Sequence, residues 1–114
     1  MLTIAILAYH NQSPTLLTDE CMASIDRQEL PEVLVEKMLI DNGSIPPLGS
    51  YDGWKVVNLV ENLGGIFGQN TCFDFAKYDW VLFVSNDVRF EKDCIRLMWD
   101  QRFQGQLMPT ILNP

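Results

Sequence analysis

Three short apolar runs, each cut off by asparagine, aspartate and small polar residues, constrain this chain more than any other feature. Trp80-Val-Leu-Phe-Val84 ends in Ser85-Asn86-Asp87, Thr3 to Tyr9 ends in His10-Asn11-Gln12, and Val33-Leu-Val35 with Met38-Leu-Ile40 leads into Asp41-Asn42-Gly43-Ser44. Such runs read as strands buried on both faces, as in a parallel sheet. Parallel strands bring their carboxyl ends to one rim, and the crevice outside that rim is where open α/β sheets bind ligands. Tyr9, Asn11, Asp41 and Asp87 would then meet there, distant in sequence and close in space. A single strand-end aspartate is also an ordinary turn residue. The repetition of the pattern is what argues for a site.

The segments between the runs fit the same architecture. Ser13-Pro14 combines an N-cap serine with a proline at the first helical position, which predicts a helix from Pro14 to about Gln28. That helix would turn Leu17, Cys21 and Ile25 to the sheet, leave Asp19, Glu20 and Asp26 in water, and stop at Glu29-Leu30-Pro31. Residues 43 to 50, rich in glycine and proline, make an irregular loop, and Lys55 to Val60 a short third strand. Gly64, Gly65 and Gly68 then stand at the mouth of a helix reaching about Lys77. These glycines permit close approach of a ligand to the backbone, and serve a tight strand-to-helix turn equally well. Their spacing matches neither the dinucleotide fingerprint nor the phosphate loop. A last helix from about Glu91 to Gln104 carries Ile95, Met98, Trp99 and Phe103 at core spacing, and Met108 to Pro114 reads as the approach to another strand. Residues 1–114 thus form one β-α-β-α-β unit of the doubly wound α/β class, with a mainly parallel sheet.

Charge narrows the partners. Fifteen acidic residues against eight basic ones leave a formal charge of −7 over 114 residues, which disfavours nucleic-acid backbones and anionic membranes. A phosphate ligand on so acidic a protein calls for a divalent cation between them. Cys21, Cys72 and Cys94 are far apart and accompanied by one histidine, so neither a disulfide framework nor a zinc site is indicated, and a reducing, cytoplasmic setting is expected. The N-terminal apolar run has no basic flank and no cleavage pattern, which makes it a strand and not a signal peptide. No stretch is long enough to span a bilayer.

Four segments in this order, Ala8-Tyr-His-Asn11, Ile40-Asp-Asn-Gly-Ser44, Asn62-Leu-Gly-Gly65 with Asn70, and Val81-Leu-Phe-Val-Ser-Asn-Asp-Val88, resemble the family 2 glycosyltransferases. The resemblance runs from about Thr3 to about Pro114 and implies the GT-A fold, a three-layer α/β/α nucleotide-diphospho-sugar transferase. It implies that Asp41 contacts the nucleotide base, that Tyr9 and Asn11 line the same pocket, and that Asn62, Gly64 and Gly65 border the nucleotide, with Asn70 on the following helix. The metal-binding D-x-D motif of the family falls on Ser85-Asn86-Asp87. Asp87 is its last aspartate and implied metal ligand, Asn86 joins the donor contacts, and Ser85 replaces the first aspartate, leaving one carboxylate.

One carboxylate can suffice, because Mg2+ or Mn2+ completes its octahedron with substrate phosphates and water. The cation would neutralise charge on the departing nucleoside diphosphate. Inversion, also implied by the resemblance, needs a general base to deprotonate the acceptor hydroxyl. Glu91, Asp93 and Asp100 read as solvated charges, and His10 as a locally hydrogen-bonded side chain. The family places its base and most of its acceptor site in the half that follows, so the expectation is a donor-binding half with the acceptor-binding half absent and the acceptor unknown. Two rivals stand beside this reading. One is a nucleotide- and metal-binding module, or truncated transferase fragment, without turnover. The other is a phosphate-accepting receiver domain, which wants further acids after the first strand and a lysine at a later strand end that this sequence lacks. An exposed sheet edge would further predict a homo-oligomer.

Overall fold

The computed structural model describes residues 1–102 and 111–112. Its elements are β1 (Leu2–Ala8), α1 (Leu16–Asp26), β2 (Val35–Asp41), β3 (Lys55–Asn58), α2 (Gly64–Phe75), β4 (Trp80–Ser85), α3 (Cys94–Asp100) and β5 (Ile111–Leu112). The sheet order is β3-β2-β1-β4-β5. β1 pairs in parallel with both β2 and β4, β2 in parallel with β3, and β5 closes against β4 in the antiparallel sense.

β1 is apolar at every position but Thr3 because it has neighbours on both edges and helices over both faces. Leu2, Ile4, Ile6 and Ala8 join Cys21, Met22 and Ile25 of α1 and Ile95, Met98 and Trp99 of α3 in one core. The opposite face packs Ala5, Met38, Ile40 and Val81 against Cys72 of α2. Each fully buried Leu or Ile of β1 contributes about 1.5–3 kcal/mol. The result is the expected three-layer α/β/α arrangement around a mainly parallel sheet.

Several boundaries differ from the sequence reading, for local reasons. α1 begins at Leu16 after Thr15, which makes no side-chain cap bond, and Ser13 instead lies 3.4 Å from His10 Nδ1. Leu17 is half exposed, and the inward face is Thr18, Cys21, Met22 and Ile25. That 3-1-3 spacing keeps to one helical face, whereas steps of four from Leu17 drift around the helix. β2 starts at Val35, with Val33 and Leu34 exposed before it. β3 stops at Asn58 and α2 at Phe75. α3 is short: Asp93 precedes it in the left-handed region at φ +66°, so Glu91 and Asp93 lie ahead of the helix. Ile95, Met98 and Trp99 are buried as expected, whereas Phe103, Gln104 and Met108 lie outside the described residues.

Candidate functional site

The register decides where the strand ends fall. Ala8 pairs with Asp41, Leu7 with Ser85, and Asp41 with Asn58, so four parallel strands finish level at one rim. Asp41 and Asp87 therefore sit on the same side of the molecule. Their strands flank β1, about 10 Å apart at two inter-strand spacings.

The two carboxylates have opposite surroundings. Asp41 is fully buried. Its Oδ1 accepts the Ser44 N–H at 2.9 Å, and its Oδ2 accepts the Leu48 N–H at 2.9 Å and the Asn58 amide at 2.7 Å. Burial alone would raise its pKa, but the hydrogen bonds from Ser44, Leu48 and Asn58 together outweigh it and hold the carboxyl below the ordinary aspartate value. Asp87 is exposed on the turn after β4, which the Val88 N–H closes onto the Ser85 carbonyl at 3.2 Å. Its carboxylate accepts no hydrogen bond and forms no ion pair among the described residues. Its charge is felt by Cys21, whose thiol is pushed up to about 12 by burial first and by Asp87 second. Cys21 is thus a core thiol that donates weakly to the Ser85 carbonyl at 3.8 Å, not a nucleophile.

Between them the loops interlock. The buried Asn42 donates to Asn62 Oδ1 at 3.2 Å and to the Gly64 carbonyl at 3.3 Å, and accepts the Leu63 N–H at 2.9 Å. Asn62 Oδ1 also accepts the Gly64 N–H at 2.7 Å, so its side chain organises the entry to α2. Gly43, at φ +79°, lies so close beneath this segment that an added Cβ would meet Asn62 N at 2.4 Å. The glycines of α2 serve two ends. Gly64, at φ +80°, and Gly65 are exposed with nothing within 4 Å of an added Cβ, so their backbone is open to a ligand, whereas Gly68 is buried against Leu7 and Asn42.

Tyr9 and Asn11 are exposed just past β1, where the flanking Gln12 N–H and His10 carbonyl bond to Ile45 at 2.6 and 2.8 Å and extend the sheet. Asn86 turns inward, its amide donating to Thr18 Oγ1 at 3.0 Å. Asn70 is exposed six residues into α2, about 9 Å along the axis from Gly64. The rim therefore gathers Tyr9, Asn11, Asp41, Asn62, Gly64, Gly65, Asn86 and Asp87, with Asn70 set back from it. Sequence reasoning passed over Asn42, Ser44, Asn58 and Thr18. The first two lie in the tetrad that ends β2 and Asn58 repeats the polar strand-end pattern on β3, so a signal existed; a threonine on the inner face of α1 gives none.

Among the described residues no three metal-binding side chains cluster.

Residues 3–104 match the glycosyl transferase family 2 model. The chain belongs to that family. Solved structures similar to this family 2 chain include residues 1–349 of S. aureus TarS, at 19% identity and a TM-score of 0.64, covering 96% of this chain and 38% of that one. The same TarS segment in complex with UDP-GlcNAc aligns at 20% identity and a TM-score of 0.66 over 89% of this chain and 31% of that one. The mannosyltransferase PcManGT of Pyrobaculum calidifontis, in complex with GDP-Man and Mn2+, aligns at 19% identity and 0.61 over 78% and 28% respectively. At these identities the likeness establishes the GT-A fold, and the chain spans less than two fifths of each of these proteins. No curated protein matches it. Among the described residues no helix is long and apolar enough to cross a membrane.

Proposed function

We propose that this chain binds a nucleotide-diphospho-sugar at the rim and serves as the donor side of an inverting glycosyl transfer to an acceptor hydroxyl. The level ending of four parallel strands, with Asp41 and Asp87 on one side, carries the reading; membership of the family and GT-A neighbours solved with UDP-GlcNAc and with GDP-Man and Mn2+ support it. In this reading the β2 and β3 ends, with Tyr9 and Asn11, receive the nucleoside. Asp41, fully buried, shapes that wall through the loop it anchors. The open backbone at Gly64 and Gly65 lets the nucleotide approach the start of α2, with Asn62 bordering it and Asn70 behind.

Asp87 is the residue that would hold Mg2+ or Mn2+ against the diphosphate. When bound, the cation supplies charge neutralisation to the leaving nucleoside diphosphate. What this chain contributes is position: the β4 turn presents an unpaired carboxylate outward, and the rim loops fix its distance from the nucleoside wall. A cytoplasmic setting and self-association through the sheet edge belong to the same proposal.

Thermal unfolding with UDP or GDP, with and without Mn2+, tests it. The nucleotide raises the melting temperature, Mn2+ raises it further, and Asp87→Ala abolishes the second increment while keeping the first. No shift with either nucleotide defeats the reading. The alternative is a donor-binding module without turnover, and an assay of UDP-GlcNAc and GDP-Man hydrolysis separates the two.

A further inference from the structure

One connected set of hydrogen bonds runs beneath the rim and ties all four parallel strands together. Asn58 of β3 donates to Asp41 of β2 at 2.7 Å. Ser44 donates its N–H to Asp41 at 2.9 Å, and its hydroxyl accepts the His10 N–H at 2.9 Å just past β1. On the other side of His10, ring Nε2 lies 2.6 Å from Thr18 Oγ1 of α1, and Thr18 Oγ1 lies 3.0 Å from Asn86 Nδ2, in the turn after β4. His10 and Thr18 are both buried, so each donor and acceptor in this run needs a partner.

The Asn86 amide nitrogen can only donate, so Thr18 Oγ1 accepts from it. The hydroxyl keeps a second lone pair and its own hydrogen, either of which can complete the 2.6 Å contact to His10 Nε2, and ring Nδ1 lies 3.4 Å from Ser13 Oγ.

We propose that His10 is a positioning residue of the donor site: through Thr18 it pins Asn86 inward, and so sets where the adjoining Asp87 carboxylate stands. Asn86 and Asp87 are consecutive in one tight turn. With the amide of Asn86 anchored beneath the rim, Asp87 faces solvent. Release of Asn86 lets the turn rotate, and the carboxylate is no longer held at a fixed place relative to Asp41. His10 touches neither metal nor nucleotide in this account, and its effect passes wholly through Thr18 and Asn86. The role assigned to Asp87 rests on the donor-site reading above, but the pinning itself does not.

The test therefore has an apo arm and a ligand arm. In the apo chain, Thr18→Val, nearly isosteric, is expected to move the His10 ring 15N resonances, the Asn86 side-chain amide and the Asp87 backbone amide. Asn86 and Asp87 resonances that stay in place in folded Thr18→Val overturn the proposal whether or not the chain binds nucleotide. In the ligand arm, Mn2+ is titrated into the chain saturated with UDP. His10→Phe and Thr18→Val weaken Mn2+ binding about fivefold to tenfold, the scale of one hydrogen bond, while UDP affinity without metal is unchanged. His10→Gln, whose amide oxygen can accept from Thr18, restores binding to within about threefold. Mn2+ affinity equal to wild type in both His10→Phe and Thr18→Val overturns the pinning role. If the wild-type chain binds no UDP, the donor reading fails and the apo arm alone decides.

Discussion

The two halves of the rim are built on opposite plans. On the β2 and β3 side every polar group is tied: Asp41 is buried and accepts from Ser44, Leu48 and Asn58, Asn42 grips residues 62 to 64, and Gly43 lies flat under the same segment. On the β4 side the Asn86 side chain, donating to Thr18, steadies a turn whose carboxylate has no partner among the described residues. A wall made of satisfied groups holds shape and offers a ligand mostly backbone and edges. An exposed, unpaired carboxylate does the reverse: it adds little to the fold and keeps its full charge for something that arrives from outside. The proposed donor site uses both, a fixed place for a nucleoside and an uncommitted charge for a cation.

Substitutions on the tied side should therefore damage stability and those on the open side should not. The largest effect is expected at Gly43. Alanine there would be strained at φ +79° and would drive its Cβ into the backbone of Glu61 and Asn62 at 2.4 Å, where no side chain can rotate away. Gly43→Ala is expected to cost about 3 kcal/mol or more in urea unfolding. Asp41→Asn comes next, at about 2–4 kcal/mol, because an amide nitrogen must then face one pair of the donors that Asp41 now satisfies. The same residue gives a pH signature. Its folded pKa lies below the unfolded value, so its stabilisation is fully present above about pH 4 and is lost as the pH falls through the folded pKa. Wild-type stability declines over that acid range, and Asp41→Asn should flatten the decline. An unchanged acid slope would mean that Asp41 is not the keystone of this wall.

How much of this was readable in the residues follows from what each type of signal reports. The parallel sheet was legible because β1, β4 and the second half of β2 need apolar residues on both faces, and the convergence of Asp41 and Asp87 followed from that alone. The start of α1 was not, because Ser13 bonds toward His10 and Thr15 occupies the cap position without capping. The division of labour at the rim was also hidden. Asp41 and Asp87 look alike as strand-end aspartates, and only the fold of residues 42 to 48 back over β2 makes one a buried acceptor and leaves the other free. Of the three glycines near α2, sequence could not say that Gly68 serves packing, since that depends on Leu7 from a distant strand.

Gly68 sharpens the contrast at an intermediate size. An added Cβ would meet Leu7 Cδ2 at 2.8 Å and Asn42 Nδ2 at 3.1 Å. Leu7 can shift its methyls, and alanine gains about 1 kcal/mol of helix propensity over glycine. Gly68→Ala is therefore expected to cost only about 1 kcal/mol net by thermal unfolding, well below Gly43→Ala although both positions are crowded. Equal losses would mean that the approach of α2 to β1 is as rigid as the β2 loop.

The smallest effect is expected where the proposed chemistry is greatest. Asp87→Ala removes an exposed carboxylate that accepts no hydrogen bond, so the ligand-free chain should unfold within about 0.5 kcal/mol of wild type. It also removes one negative charge from a chain with a formal charge of −7, and so relieves rather than adds repulsion. Cys21 provides an internal check: Asp87 is only the second cause of its raised pKa, so in Asp87→Ala the thiol should stay as unreactive to an alkylating agent as burial makes it. A stability loss near that of Asp41→Asn, or a newly reactive Cys21, would show that Asp87 is woven into the fold like its counterpart on β2, and the carboxylate held in reserve for a cation would have to be sought elsewhere on the rim.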